Sequence, residues 1–299
     1  MVPERGFEPL HPCEYTDLNR ARLPFRHSGL LIRGYHRYAN SMNRSFRTIA
    51  RSELGLMRDG NEDSALISSR LVAVADGMGG HAGGEVASKI AITSVRALSD
   101  VLNDPNLDDE SREDLLLNIS FSIDHEIAEA ANADRALQGM GTTLTALHLN
   151  DDCVELLHIG DSRCYQWQGK KLVQLSYDHT VMQELLDQGR LTPDEVFSHP
   201  QRSLLTQALI GDSGIDPILH EHEAKIGDQF LLCSDGLSSV LSDYEIATII
   251  KKSDSVDVVD QLINAVLEKG APDNVTILWV EIVEGADASP TELLGAAQA

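Results

Sequence analysis

The stretch Leu71-Val-Ala-Val-Ala-Asp-Gly-Met-Gly-Gly-His-Ala-Gly-Gly-Glu-Val-Ala-Ser88 decides the fold. It opens with small apolar residues, which is typical of a strand that is buried on both faces. The acid Asp76 follows, and five of the next eight residues are glycines. Apolar residues at helical spacing begin at Val86. The stretch therefore predicts a strand, a glycine loop and a helix, with one acid at the hinge.

Two interpretations of this hinge remain open at the level of the stretch alone. Glycines let the backbone approach a ligand closely, so Asp76 and its loop could form an oxygen-rich metal site or a phosphate site. The structural alternative is an ordinary Asp76-Gly77 turn.

Composition excludes several classes of protein. The chain has 299 residues, of which 42% are hydrophobic and 24% are charged, as in ordinary globular proteins. No apolar run approaches the roughly 20 residues of a membrane helix, so we expect no membrane partner. The net charge of -23 argues against a nucleic-acid partner. The four cysteines show no metal-site spacing and lie mostly in apolar runs, which favours a cytoplasmic protein without zinc. We expect a monomer.

The amino-terminal end differs in charge from the rest of the chain. Residues 1–51 contain nine arginines and four acids, a net charge of +5. No secretory apolar core is present, and the arginines are too scattered for a nucleic-acid arm. We interpret residues 1–46 as a disordered or spurious extension and expect translation to begin at or near Met42, which an intact-mass measurement would test.

The pattern of elements predicts an α+β fold. Strand patterns cover 45–56, 64–68, 71–76, 142–149, 153–159, 163–168, 172–175, 218–224, 229–233 and 275–283, and the main helical patterns begin near 85, 111, 179, 192, 242 and 255. Turn residues between the four strands of 142–175 favour an antiparallel meander. Paired helices and clustered strands predict a four-layer α-β-β-α sandwich of two mainly antiparallel sheets. Residues 47–284 would form this domain, 178–212 an insertion over the sheet edge, and 285–299 a disordered tail.

Acids recur where apolar strands begin or end. They are Glu62, Asp63, Asp76, Asp161, Asp235 and Asp273. If the strands are neighbours, these acids converge, and buried carboxylates stay together only with cations. Oxygen ligands without His or Cys suit Mn²⁺ or Mg²⁺. Two such ions about 3.5–4 Å apart would activate a bridging water and hold a phosphoryl group.

Seven motifs that carry these acids resemble the metal-dependent Ser/Thr protein phosphatases of type 2C, and most closely the bacterial branch. The motifs are Arg58-x-x-Asn61-Glu62-Asp63, Asp76-Gly77-Met-Gly-Gly-His81, Gly141-Thr142-Thr143, Gly160-Asp161-Ser162-Arg163, Asp178-His179, Ser234-Asp235-Gly236 and Asp273-Asn274. The resemblance covers residues 47–283 and implies the four-layer fold. It also implies hydrolysis of phosphoserine and phosphothreonine on proteins, opposing a bacterial Ser/Thr kinase.

The resemblance also implies a role for each matching residue. Asp76 would bridge two ions, with the Gly77 carbonyl on one of them, and Asp235 and Asp273 would hold the other. Glu62 and Asp63 would orient waters, Asp161 would hold a third and weaker ion, and Arg58 would bind the substrate phosphate. Asn274 would orient Asp273. Residues 178–212 match the mobile flap of the family, which we expect to select protein substrates.

One position departs from the animal members of the family, which carry a proton-donating histidine directly after the Asp-Gly. Here that residue is Met78, which cannot donate a proton. The leaving oxygen would take its proton from a metal-bound water or from His81, the nearby candidate side chain. We interpret His158 and His179 as structural.

The pair Thr142-Thr143 is interpreted as simple strand packing. Two other functions remain open. One is a catalytically weak, metal-binding regulatory module of the same fold, and the other is a phosphatase of anti-sigma-type regulators.

Overall fold

The opening stretch folds into strand β3, Leu71–Met78, and helix α1, Gly83–Leu102, as its pattern predicts. The computed structural model describes residues 44–79, 83–104, 106–150, 153–192, 195, 199, 201, 204–285 and 290–298. Residues 1–43 lie outside these ranges, and so does Gly80 between β3 and α1.

Twelve strands lie in the described residues. They are β1 (Arg44–Glu53), β2 (Asp63–Ile67), β3, β4 (Gly141–Thr142), β5 (Leu144–Leu149), β6 (Cys153–Ile159), β7 (Arg163–Gln168), β8 (Lys171–Gln174), β9 (Ile218–Glu223), β10 (Gln229–Cys233), β11 (Val275–Glu284) and β12 (Glu292–Gly295). The α-helices after α1 are α2 (Asp109–Ala133), α3 (Val181–Asp187), α4 (Asp235–Ser238), α5 (Asp243–Lys252) and α6 (Val258–Glu268).

Two antiparallel sheets contain these strands. The first has the order β1-β11-β10-β7-β8, and the second has the order β12-β2-β3-β5-β6-β9, with β4 paired to β3. The predicted meander of four consecutive strands is wrong, because β5 and β6 belong to the second sheet whereas β7 and β8 belong to the first. The chain crosses between the sheets at Gly160–Ser162, and a local turn pattern carries no information about such a crossing.

The apolar side chains form three layers of core. Alternate residues of β3 face opposite ways: Ala73 packs with α1 and α2, whereas Val74 packs between the two sheets. In β11, Leu278 packs between the sheets and Ile277 packs with α5 and α6. The predicted order of helices, sheet, sheet and helices is therefore confirmed.

Side-chain caps fix where two of the outer helices begin. Asp108 accepts a hydrogen bond from the backbone N–H of Ser111 and caps α2. Ser242 and Glu245 form a reciprocal capping box at the start of α5, as the sequence predicts. Caps of this kind satisfy amide groups that otherwise lack partners at a helix start.

Both ends of the described domain differ from the prediction. Arg44–Phe46, assigned to the irregular extension, belong to β1, where Phe46 is fully buried between the sheets. The tail is also ordered in part, because β12 pairs with β2 and Ala296 and Ala297 of the following 3₁₀ turn are buried. Its small residues resemble a disordered composition, but here they fit closely against the sheet.

Antiparallel pairing brings several strand ends to one edge of the sandwich. Asp63 opens β2 opposite Asp76 of β3, and Cys233 ends β10 opposite Ile277 of β11. The residues before and after these strand ends therefore share one side of the molecule. Among the residues that the structure describes, no helix combines the length and hydropathy needed to cross a membrane.

Candidate active site

Asp63 lies opposite Asp76 and is 1% exposed. Burial raises the pKa of Asp63 to about 7, with further increases from the carboxylates of Asp235 and Asp273. The hydroxyl of Ser234 opposes this effect by donating a hydrogen bond of 2.7 Å to Asp63 Oδ2. Asp63 is therefore held inside the protein, beside other acids.

Asp76 is the point on which these acids converge. Burial raises its pKa well above the ordinary range, and the carboxylates of Asp63, Asp235, Asp161 and Asp273 raise the pKa further, in that order. The backbone N–H of Asp235 lies 3.4 Å from Asp76 Oδ2 and donates to it. Acids from five separate places in the chain thus act on one another at this edge.

A close backbone contact brings Asp235 and Asp273 into the cluster. Asp235 is the first residue of α4, and a Cβ atom added to Gly236 would lie 1.9 Å from the Asn274 carbonyl oxygen. Only glycine permits this approach, so the start of α4 packs directly on the start of β11. That contact places one acid beside the other.

Arg58 lies at the margin of the cluster. Its Nη2 donates to Asp273 Oδ2 at 2.6 Å, and 46% of its side chain is exposed. This hydrogen bond raises the pKa of Arg58, and the charges of Glu62 and Asp76 add to the effect. A guanidinium with an exposed face therefore stands beside the acids.

Asn274 holds the loop that carries Arg58. Its Nδ2 donates to the carbonyl oxygens of Leu54 at 2.8 Å and Gly60 at 3.0 Å, and its Oδ1 accepts from the backbone N–H of Glu62 at 2.8 Å. The prediction that Asn274 orients Asp273 needs correction, because only its backbone N–H contacts that carboxylate, at 2.8 Å. The side chain instead fixes the loop.

Gly77 must be a glycine because three backbone segments meet there. An added Cβ would lie 2.1 Å from the Gly84 carbonyl oxygen and 2.5 Å from that of Glu62, to which the Gly77 N–H donates at 3.2 Å. The carboxylate of Glu62 lies against the start of α1 at Gly84. Burial raises the pKa of Glu62, whereas the charge of Arg58 lowers it. The glycine loop therefore packs Glu62, Gly77 and α1 together.

Asp161 lies between the two sheets at the same edge. Burial raises its pKa to about 8, with contributions from Asp235 and Asp178 and an opposing effect of Arg163. The guanidinium of Arg163 donates to Asp178 through Nε and Nη2, at 2.6 to 3.0 Å. Its carboxylate partner in hydrogen bonding is therefore Asp178 rather than Asp161.

Thr142 and Thr143 do more than pack, and the interpretation given above is wrong. The hydroxyl of Thr142 donates to the Asp76 carbonyl oxygen at 2.9 Å. The hydroxyl of Thr143 accepts from the Asp76 N–H at 3.0 Å and lies 2.7 Å from Ser162 Oγ. Together with Ser234, these hydroxyls were missed because only the register between strands places them beside the acids.

The histidines beside the cluster are structural, as predicted. His158 is buried, and burial lowers its pKa to about 3; it contacts Thr145 Oγ1 and the Tyr177 carbonyl oxygen. His179 Nδ1 accepts from the Gly160 N–H at 3.1 Å. These contacts are all with other groups of the protein. His81 lies outside the described residues, so its role as a proton donor stays a prediction.

The flap is anchored at both of its ends. At the start, Asp178 binds Arg163 and the backbone of His179 pairs with Gly160. At the end, the buried carboxylate of Asp124 accepts three backbone N–H groups, those of Ile210, Gly211 and Ser213, at 2.7 to 3.0 Å. Between these anchors the described part contains α3, and the predicted helix that begins near residue 192 lies mainly outside the described residues.

A bridge between Thr142 and Leu209 joins the flap to the strand beside Asp76. Because Thr142 also contacts the Asp76 backbone, the flap end lies next to the acid cluster.

The donors of the cluster fit a divalent cation that prefers oxygen. They are carboxylates and backbone carbonyls, and the carboxylate pKa values are raised by burial and by one another. A bound cation would favour the charged forms and relieve this repulsion. Among the described residues, no three of these acids bring carboxylate oxygens within 4.8 Å of one another.

Comparison with known proteins supports the same family throughout. The family model for Protein phosphatase 2C matches residues 61–277. The Serine/threonine protein phosphatase PstP of Mycobacterium tuberculosis is 43% identical over 241 residues, which are 80% of this chain and 45% of PstP. The chain therefore spans less than half the length of that relative. The Serine/threonine phosphatase stp of Listeria monocytogenes is 34% identical over 259 residues, which are 83% of this chain and 100% of stp.

A solved structure also supports the four-layer fold. The crystal structure of the catalytic domain of PstP in complex with two manganese ions superposes with a TM-score of 0.73 and 40% identity, over 80% of this chain and 99% of that one. The family model and the Listeria relative each cover most of the fold that carries the acid cluster. The chain belongs to the protein phosphatase 2C family.

Proposed function

We propose that this protein is a metal-dependent phosphatase that hydrolyses phosphoserine and phosphothreonine on other proteins. The observation that carries the proposal is the convergence of acids on Asp76, with the exposed guanidinium of Arg58 at their margin. Acids in this number suit divalent cations, and a guanidinium suits a phosphate dianion. The names of the relatives support the same activity.

The ions would be Mn²⁺ or Mg²⁺. Asp76 would bridge two of them, the Gly77 carbonyl would contact one, and Asp235 and Asp273 would hold the other. Glu62 and Asp63 would orient waters, and Asp161, whose pKa responds to Asp235, would contribute to a third and weaker ion. When bound, such ions lower the pKa of water and polarise a phosphoryl oxygen. The manganese ions in the PstP structure support the count of two.

Arg58 would bind and orient the phosphate. A guanidinium has five N–H donors, and the contact with Asp273 uses one of them. The loop that carries Arg58 is held by three hydrogen bonds with the Asn274 side chain, which donates two and accepts one. The guanidinium therefore stands on a fixed support, which favours a defined phosphate position over a mobile one.

The surface around Arg58 favours a protein substrate. Leu56 and Met57 are 62% and 75% exposed, although the Leu56 N–H is held by the Ala271 carbonyl oxygen at 2.9 Å. A rigid loop thus presents two apolar side chains beside the phosphate position, where they would contact residues next to the phosphorylated one. The flap, anchored beside Thr142, would supply further selection.

The substrates would be those of a bacterial Ser/Thr kinase, and the protein would act in the cytoplasm as a monomer. The described cysteines are all free thiols: Cys164 and Cys233 are buried, and Cys153 is half-buried. Free thiols of this kind support a reducing compartment.

Hydrolysis of a phosphothreonine peptide and of p-nitrophenyl phosphate, each with Mn²⁺ and with EDTA, tests the proposal. We expect turnover with Mn²⁺, none with EDTA, and a loss of at least about 1,000-fold in Asp76→Ala, because one ligand would otherwise contact both ions. Asp114→Asn, which removes an exposed charge on α2, serves as the matched control and should keep full activity. Turnover that survives EDTA, or no turnover at all, would overturn the proposal.

A further inference from the structure

A second concave site lies on the opposite part of the first sheet. A cleft of about 220 Å³ opens where the end of α5 and the start of α6 cover β7, β10 and β11. The side chains that matter here are Trp167, Trp279, Lys170, Lys251, Gln229 and Ser255.

The cleft is separate from the acid cluster. β10 runs from Gln229 at the cleft to Cys233, two residues before Asp235. Four strand residues span about 13 Å, so the two sites lie at opposite ends of one strand. Trp167 pairs with Gln229 across β7 and β10, which fixes it at the cleft end as well.

The charge of the cleft contrasts with that of the protein. The chain has a formal charge of -23, yet the residues that line the cleft include two lysines and no carboxylate. Within the described part of the chain, neither Lys170 nor Lys251 forms an ion pair, and both are exposed. Asp254 is next to Ser255 in sequence but does not line the cleft. The lysines therefore present positive charge to a bound group rather than to a protein carboxylate.

Trp167 provides the accessible aromatic surface of the cleft, and Trp279 forms its buried floor. Trp279 is 3% exposed and Trp167 is half-buried. The buried indole N–H of Trp279 has no hydrogen-bond acceptor among the described residues. Gln229 Nε2 and Ser255 Oγ, 3.4 Å apart, add polar groups at the rim. A flat aromatic face beside cations suits a ligand that is itself aromatic and anionic.

The volume limits the size of that ligand. An engineered protein cavity of about 150 Å³ accepts benzene. A cleft of about 220 Å³ therefore has room for one ring and a small charged substituent, and a larger ligand would extend from it into solvent.

We propose that this cleft binds a small molecule that carries one aromatic ring and one anionic group. The ring lies against Trp167, above the buried Trp279, and the anionic group contacts Lys170 and Lys251. The proposal does not depend on the phosphatase activity, because it uses none of the residues of the acid cluster.

The composition of the protein offers a direct measurement. The chain contains two tryptophans, and both line the cleft, so intrinsic tryptophan fluorescence reports on this site. The probe is phenylphosphonate, titrated into the full-length protein in EDTA, with benzyl alcohol and inorganic phosphate as partial analogues. We expect a saturable change with phenylphosphonate, and binding that is weaker by about tenfold or more with either analogue, since each lacks one of the two contacts.

Substitution of the lysines tests the assigned contact. In the double variant Lys170→Gln/Lys251→Gln, the affinity for phenylphosphonate should fall by about tenfold or more, whereas Lys252→Gln, which changes an adjacent exposed lysine outside the cleft, should leave it unchanged. Arg58→Ala should also bind as the wild type does, which separates this site from the acid cluster. The proposal is overturned if fluorescence shows no saturable change, or if the double variant binds as tightly as the wild type.

Discussion

Asp63 and Asp76 show at the level of single residues why the acid cluster is a functional feature. Asp63 is buried and Asp76 is half-buried opposite it across β2 and β3, and desolvation together with neighbouring carboxylates raises the pKa of each. Hydrogen bonds from Ser234 and from the Asp235 N–H offset only part of this cost. A core built for stability alone would place apolar residues here, so the acids are retained for what they bind.

Arg58 carries the first prediction at this scale. Arg58→Ala removes the donors that would hold the phosphate, and hydrogen bonds to a charged group contribute about 1.5–3 kcal/mol. We therefore expect KM for p-nitrophenyl phosphate to rise about 10- to 150-fold, with a smaller change in kcat. Steady-state kinetics in Mn²⁺ measures both.

Two further arginine variants complete that experiment. Arg58→Lys should recover only part of the loss, because an ammonium group cannot donate as a planar fork. Arg47→Ala removes the exposed ion pair between Arg47 of β1 and Glu281 of β11. This variant should behave as the wild type. An unchanged KM in Arg58→Ala would show that the phosphate is held elsewhere.

At the level of elements, β4 supports β3 through side-chain hydroxyls. The sequence predicts β3 and a single strand over 142–149, which the structure divides into β4 and β5. It does not reveal that Thr143 accepts a hydrogen bond from the Asp76 N–H, because that contact depends on which strands become neighbours. A pair of threonines in an apolar run is compatible with packing alone. Register is a tertiary property, and here it determines the function of the residue.

The variant Thr143→Val keeps the shape of the side chain and removes its hydroxyl. The Asp76 N–H would then be buried without an acceptor, so the free energy of unfolding should fall by about 1–3 kcal/mol, and kcat should fall as Asp76 loses its position. Urea unfolding and phosphopeptide kinetics measure the two effects. Thr143→Ser retains the hydroxyl and should preserve activity; equal losses in both variants would contradict the assigned role.

The flap is an element that can be exchanged at fixed points. Asp178 and Asp212 lie at its two anchors, so a flap from another family member can be joined there without disturbing β7 or α2. If the flap selects protein substrates, the ratio of kcat/KM between two phosphopeptides should change by about tenfold or more, and hydrolysis of p-nitrophenyl phosphate should be retained. An unaltered ratio in an active chimera would contradict this role.

For the whole molecule, local patterns predicted most elements and the four layers, because alternation and helical spacing directly reflect which faces are buried. They also identified the acids, since each lies at a strand end. The assignment of β7 and β8 to the other sheet was missed because turn residues fix neighbouring strands only. The pairing of β12 with β2 was missed because two leucines among small residues give a weak strand signal.

The stability of the metal-free protein should depend on pH in an unusual direction. Asp63 and Asp161 have folded-state pKa values of about 7 and about 8, above the ordinary value of 3.8. The folded state therefore binds more protons than the unfolded state, and the stability that these groups contribute is lost as pH rises through their folded pKa values. Above pH about 7.5 unperturbed histidines are roughly nine-tenths neutral, so the acids dominate the pH dependence there.

We therefore expect the free energy of unfolding in EDTA to fall between pH about 7.5 and about 8.5, by up to about 1.4 kcal/mol per pH unit for each proton released. Urea unfolding at several pH values measures this slope. Saturating Mn²⁺ should remove it, and Asp63→Asn should reduce it. Asp114→Asn should not alter it, and stability that rises with pH over this range would contradict the burial of these acids.

Calorimetric titration of Mn²⁺ into the wild type and Asp76→Asn tests the central claim, that the acid cluster is a site for two divalent cations. The wild type should bind at least two ions per chain and release protons as it does so, because cations displace protons from carboxyls with raised pKa values. Asp76→Asn should bind fewer than two. The absence of binding in the wild type, or the same number of ions in both proteins, would contradict the account.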